Sequence, residues 1–139
     1  MKKIYTATVT ATGGRNGKVV SDDGILNLEV KMPKAMQGPG GPATNPEQLF
    51  AAGYSACFDS ALNLVLRKER QKVESTEVTA DVSLNLGEDG GYTLSAELKV
   101  KIVGLDKEKA QEFADKAHQV CPYSRATRGN IPVEITIID

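Results

Sequence analysis

The chain has 139 residues, a length that suits one domain and leaves little room for two. Hydrophobic residues make up 40% and charged residues 25%, an ordinary globular balance that argues against wholesale disorder. Lys and Arg number 17 against 18 Asp and Glu, so the net charge is −1 and the basic excess of a nucleic-acid binder is absent.

From Ile4 to Thr12 the residues Tyr5, Ala7, Val9 and Ala11 alternate with threonines, the period of a half-exposed strand. So many hydroxyls do not suit the apolar core of a secretory signal, and a cytoplasmic location is expected. Gly13-Gly14-Arg15-Asn16-Gly17 reads as a turn. Lys18 to Ser21 and Ile25 to Lys31 then predict two short strands, the second with Leu26, Leu28 and Val30 inward. Met32 to Thr44 carries three prolines and three glycines and reads as a long loop.

A helix is predicted next. Thr44-Asn45-Pro46-Glu47-Gln48 offers a cap, a proline for the first helical position and an acid or amide for a capping box. The apolar run Leu49–Leu66 follows and passes into the charged residues 67–72, a solvated helix end. With Asp59, Ser55, Ser60 and Asn63 inside it, that run suits a helix enclosed by protein better than a membrane span. Val78 to Leu86 and Tyr92 to Ile102 alternate around Gly87–Gly91, predicting a long hairpin. Asp106 caps a second helix with Ala110, Phe113, Ala114, Ala117 and Cys121 on one face, stopped by Pro122. Ile131, Val133, Ile135 and Ile137 make a last strand. The order βββαββαβ over a single domain, residues 1–139, means α+β: an antiparallel sheet with helices laid on it.

Two cysteines, Cys57 and Cys121, and one histidine, His118, make a poor zinc set, and no metal is expected. Each cysteine is either a small buried hydrophobe or a reactive group. Arg15 in a glycine-flanked turn, Glu47 at the start of the cysteine-bearing helix, and Cys121 at a forced turn where its sulfur could be reached favour chemistry. His118 reads as an edge residue of its helix. Gly-Tyr-Ser-Ala-Cys only mimics a nucleophile elbow, and Gly38–Gly41 lacks the ending of a phosphate loop.

The block from Asn45 to Phe58, NPEQLFAAGYSACF, together with His118-Gln119-Val120-Cys121-Pro122-Tyr123-Ser124, closely resembles the organic hydroperoxide resistance proteins of the osmotically inducible protein C superfamily. The Ala11–Gly17 turn and Ala126–Asn130 share the resemblance, which therefore spans essentially the whole chain. Asp59 and Arg125 depart from it, since an apolar residue and Asn respectively are common there. The resemblance implies an intertwined homodimer that reduces organic hydroperoxides to alcohols. It implies Cys57 as the peroxidatic cysteine, Cys121 as the resolving one, and Arg15 with Glu47 as the polar pair beside the reactive sulfur. It also implies an external dihydrolipoyl group on a lipoylated protein as reductant, and no bound cofactor.

Elementary chemistry agrees with these roles. A thiol of pKa ~8.5 is only a few per cent thiolate at neutral pH, and an apolar pocket lowers that further. A cation is needed, and Arg15 is the candidate, held by Glu47. Glu47 and Cys57 stand ten residues apart on one predicted helix, about 15 Å along its axis. A shared site is then expected to take Arg15 and Glu47 from a second subunit. The alternative is a non-catalytic dimer that binds an apolar ligand between its helices.

Overall fold

The computed structural model describes residues 1–139. It divides into two compact units, Met1–Leu49 and Phe50–Asp139.

In the first unit, β1 (Val9–Thr12), β2 (Gly17–Ser21) and β3 (Asn27–Val30) form an antiparallel sheet in the order β1-β2-β3. The β1–β2 turn demands its glycines. Gly13 has φ 76°, and a Cβ on Gly17 would lie 1.8 Å from the Thr12 carbonyl oxygen. Arg15 sits at the tip of this turn. The loop after β3 closes on itself, because the Thr44 N–H donates to the Glu29 carbonyl and the Lys31 N–H to that of Thr44. A 3-10 turn at Lys34–Met36 stiffens its middle.

Three expectations change here. The first strand begins at Val9, not Ile4, and Ile4 and Tyr5 are exposed. Alternation alone does not make a strand without a neighbour to complete the ladder. The third strand is shorter than Ile25–Lys31, and Leu28 is exposed while Val30 is buried.

Helix α1 (Pro46–Lys68) starts where the sequence places it. Asn45 is the cap, its Oδ1 accepting from the Gln48 N–H at 2.9 Å, and Pro46 takes the first helical position. The helix stops short of Lys72 because Arg70 adopts a left-handed conformation, φ 54°, and the Gln71 N–H turns back to the Leu66 carbonyl. That closure usually falls on glycine, so Arg70 gave no warning of it.

The second unit is built on β4 (Ser75–Leu86) and β5 (Tyr92–Val103), a hairpin paired from Ser75–Val103 to Leu86–Tyr92. Helix α2 (Lys107–Val120) follows, capped by the Asp106 side chain on the Lys109 N–H at 2.8 Å. A short helix α3 (Pro122–Thr127) leads to β6 (Val133–Ile137). Helix α3 lies outside the predicted βββαββαβ order; Pro122 ends α2 and also serves as the first residue of the next helix. The sheet is not wholly antiparallel either, since β6 runs parallel to β5. Two helices lie between those strands, which is the crossover a parallel pair needs.

The core lies between α1, β5 and α2. Tyr54, Phe58, Leu62 and Leu66 pack with Leu98, Val100, Phe113, Ala114 and Ala117. Each large side chain so buried contributes about 1.5–3 kcal/mol. By length and composition α1 would also suit a membrane, yet this stripe makes it a core helix. It is not enclosed all round as expected: Ala52, Ala56 and Leu64 are exposed.

Candidate active site

Two pairs of the residues singled out in the sequence come together, one pair in each unit. In the first unit the Arg15 guanidinium meets the Glu47 carboxylate with two hydrogen bonds, Nη1 to Oε2 at 2.9 Å and Nη2 to Oε1 at 2.7 Å. The fork-to-fork geometry fixes the guanidinium plane as well as its position. Glu47 lies in the first turn of α1, where the helix dipole favours a negative charge. The hydrogen bonds from Arg15 hold the Glu47 carboxyl below the usual range, against the opposing effect of burial. A depressed carboxyl pKa means that the pair is intact at neutral pH and is lost only as pH falls through that lowered value.

In the second unit Cys57 and Cys121 are neighbours, both as free thiols. Cys57 projects from α1 and is half-buried; Cys121 is fully buried at the joint between α2 and α3. The expectation of a reachable Cys121 is therefore overturned, because α3 folds back at Pro122 and packs the sulfur into the core. Burial pushes the Cys57 thiol up, the Tyr123 backbone N–H pulls it down by donating to the sulfur, and the neighbouring Cys121 pushes it up again. No cation of Phe50–Asp139 acts on it.

Sequence reasoning missed a buried polar chain beside the cysteines. The Tyr54 hydroxyl lies 2.9 Å from Ser124 Oγ and 3.2 Å from Thr127 Oγ1, and Ser124 Oγ lies 2.8 Å from His118 Nδ1. His118 is thus no simple edge residue. Burial lowers its pKa, Arg128 lowers it further and Asp115 opposes them. The available signal was Ser124 and Thr127, three apart after a proline that could start a helix. The divergent Asp59 also has a partner, its Oδ1 accepting from Thr76 Oγ1 at 2.7 Å, whereas Arg125 is exposed.

An open cavity of about 410 Å³ is lined by Phe50, Leu94, Tyr123, Ala126 and Ile131 among others. Neither cysteine lines it, but Tyr123 is common to its wall and to the Cys57 hydrogen bond. No cluster of three His, Cys, Asp or Glu side chains is placed to hold a metal ion.

Comparison with known proteins follows the same lines. Residues 38–136 match the family model described as OsmC-like protein. The organic hydroperoxide resistance protein OhrA of Bacillus subtilis is 55% identical over 98% of this chain and 97% of its own length. An organic hydroperoxide resistance protein of Xanthomonas axonopodis pv. citri is 49% identical over 98% and 96% respectively. Among solved structures, an organic hydroperoxide resistance protein from Elizabethkingia anophelis superposes with a TM-score of 0.94 at 55% identity, covering 100% of this chain and 99% of that one. With two independent pairs of polar and thiol groups, an α+β fold and likeness along its whole length, the chain belongs to the OsmC-like family, among the organic hydroperoxide resistance proteins.

Proposed function

We propose that the protein detoxifies organic hydroperoxides, as its relatives' names indicate for them, by acting as a thiol-dependent peroxidase. The observation that carries this reading is the half-buried free thiol of Cys57 beside the buried thiol of Cys121, with a backbone N–H on the Cys57 sulfur. The Cys57 thiolate attacks the distal peroxide oxygen: an S–O bond forms, the O–O bond breaks, and the alkoxide takes a proton to leave as an alcohol. The Cys121 thiol then displaces hydroxide from the Cys57 sulfenic acid, closing a disulfide and releasing water. A dihydrolipoyl group on a lipoylated protein restores both thiols by exchange and becomes a disulfide itself.

Since burial alone leaves Cys57 protonated, a guanidinium must supply the missing charge. Arg15, pinned by Glu47, is the group proposed, and it also stabilises the departing alkoxide. Because α1 runs unbroken from Pro46 to Lys68, Glu47 and Cys57 remain ten residues apart on one helix, which supports a homodimer with each site shared between two copies. The apolar cavity flanking Tyr123 suits the chain of a greasy peroxide, and a cytoplasmic setting keeps the thiols reduced between turnovers.

The same cavity is what favours the second reading, a non-catalytic module for an apolar ligand. Peroxide consumption separates the two. Cumene hydroperoxide should be consumed faster than hydrogen peroxide, with dihydrolipoamide but not thioredoxin sustaining turnover. Cys57→Ser should lose the first turnover, and Cys121→Ser should complete one and stall as a sulfenic acid that dimedone labels. Two equally sluggish thiols and no peroxide loss would leave the binding module.

A further inference from the structure

Cys121 occupies a joint. It ends α2, begins α3, and has an extended backbone, φ −62° and ψ 124°. Its own main-chain bonds reach only along the two helices, to Ala117 behind and Arg125 ahead. What ties the joint to the rest of the core is a side chain three residues on. Ser124 Oγ reaches His118 Nδ1 at 2.8 Å, bridging α2 and α3 across the joint, and the Tyr54 hydroxyl at 2.9 Å on α1. Tyr54 lies one helical turn before Cys57, so the contact joins the two cysteine-bearing segments directly. Arg128 adds a strap from the far end of α3 by donating to the His118 carbonyl.

We propose that Tyr54, Ser124 and His118 act as positioning residues that clasp the Cys121 joint to α1 and so set the speed of disulfide closure. This rests on the peroxidase reading above. Tyr54 and Ser124 are both 0% exposed, so neither substrate nor reductant touches them, and their contribution runs through the placement of Cys121. The clasp also closes its own hydrogen-bond account. With Nδ1 unprotonated, Ser124 donates to His118 and accepts from Tyr54. With Nδ1 protonated, His118 donates to Ser124, Ser124 to Tyr54, and Tyr54 to Thr127 Oγ1, which donates in turn to the Ser124 carbonyl. No buried side-chain N or O in the molecule lacks a partner.

Closure is the attack of one tethered thiol on one tethered sulfenic acid, and its rate scales with the effective concentration of Cys121 at the Cys57 sulfur. Misplacing such a group by about 1 Å costs on the order of a hundredfold. Attack on peroxide calls on Cys57 and the proposed Arg15 guanidinium and not on the Cys121 thiol, so it should be indifferent to the clasp.

The test mixes the reduced full-length protein with one equivalent of cumene hydroperoxide and follows dimedone-trapped sulfenic acid and disulfide by mass. In Tyr54→Phe and Ser124→Ala, sulfenic acid should form at the wild-type rate while the disulfide appears about ten- to a hundredfold more slowly. A merely structural role would slow both steps alike. Tyr54→Phe removes a single oxygen from a ring that stays in the core, and it decides the matter alone if Ser124→Ala does not fold. Closure at the wild-type rate, or equal slowing of both steps, overturns the clasp. Absence of any disulfide in the wild-type protein overturns the peroxidase reading instead.

Discussion

Cys57 shows why residue type alone does not settle reactivity. Its neighbours in Phe50–Asp139 are an apolar core, a second thiol and one backbone N–H, and their balance keeps the sulfur protonated. A cysteine in that setting is inert until a cation approaches. Arg15 is suited to that task because Glu47 fixes its plane while its own charge remains complete at any working pH. Replacing Arg15 with Ala should therefore shift the pH profile of Cys57 alkylation upward and slow the reaction at pH 6–7 by roughly tenfold or more, since one pKa unit is a factor of ten in thiolate. Rates of iodoacetamide labelling across pH 6–9 would show it. An unchanged profile would remove Arg15 from the site.

At the scale of elements, Gly53 lets α3 approach α1. A Cβ there would lie 2.5 Å from the Tyr123 hydroxyl oxygen and 3.0 Å from the ring carbon that carries it. The ring leans on this notch and on Phe50 and Tyr54, with centroids 6.1 and 5.6 Å away. Gly53→Ala forces it outward, a repacking that costs about 1–3 kcal/mol. Alanine returns roughly 1 kcal/mol of helix propensity, and the partly exposed Tyr123 is free to swing, which puts the cost at the low end. Net stability should then change by about 1 kcal/mol or less in denaturant melts. The cavity wall, by contrast, is displaced, so KM for cumene hydroperoxide should rise while kcat holds. A large loss of stability with unchanged KM would mean the ring is locked and the cavity unused.

On the scale of the whole molecule, the surfaces left over are the informative ones. Ile4, Tyr5, Ala52, Ala56 and Leu64 are apolar and exposed on one chain, and the alternating segment at residues 4–7 has no strand beside it. A second copy would supply both covers, as the proposed homodimer requires. Subunit mixing tests the shared site. Cys57→Ser and Arg15→Ala, each expected to be inactive, are refolded together; with a shared site a mixed dimer should rebuild one intact site, for roughly a quarter of wild-type activity with random pairing. A mixture shown to contain mixed dimers yet as inactive as its parents would place Arg15 and Cys57 on the same chain.

Local signals were strong enough to read directly from the sequence: the Asn45-Pro46 start of α1, the Asp106 cap of α2, the β4–β5 alternation and the inward face Ala110 to Cys121. Each depends on neighbours within a few residues, where propensity and periodicity act. The motif around Cys57 likewise carried the family, and Arg15 and Glu47 bond each other through two hydrogen bonds. Tertiary structure alone decided the rest. Whether residues 4–7 are a strand depends on a partner ladder, and whether β6 runs parallel depends on the helical crossover before it. The burial of Cys121 and the hydrogen bonds of Ser124 depend on α3 folding back against α1, a contact between residues 70 positions apart that no local pattern encodes.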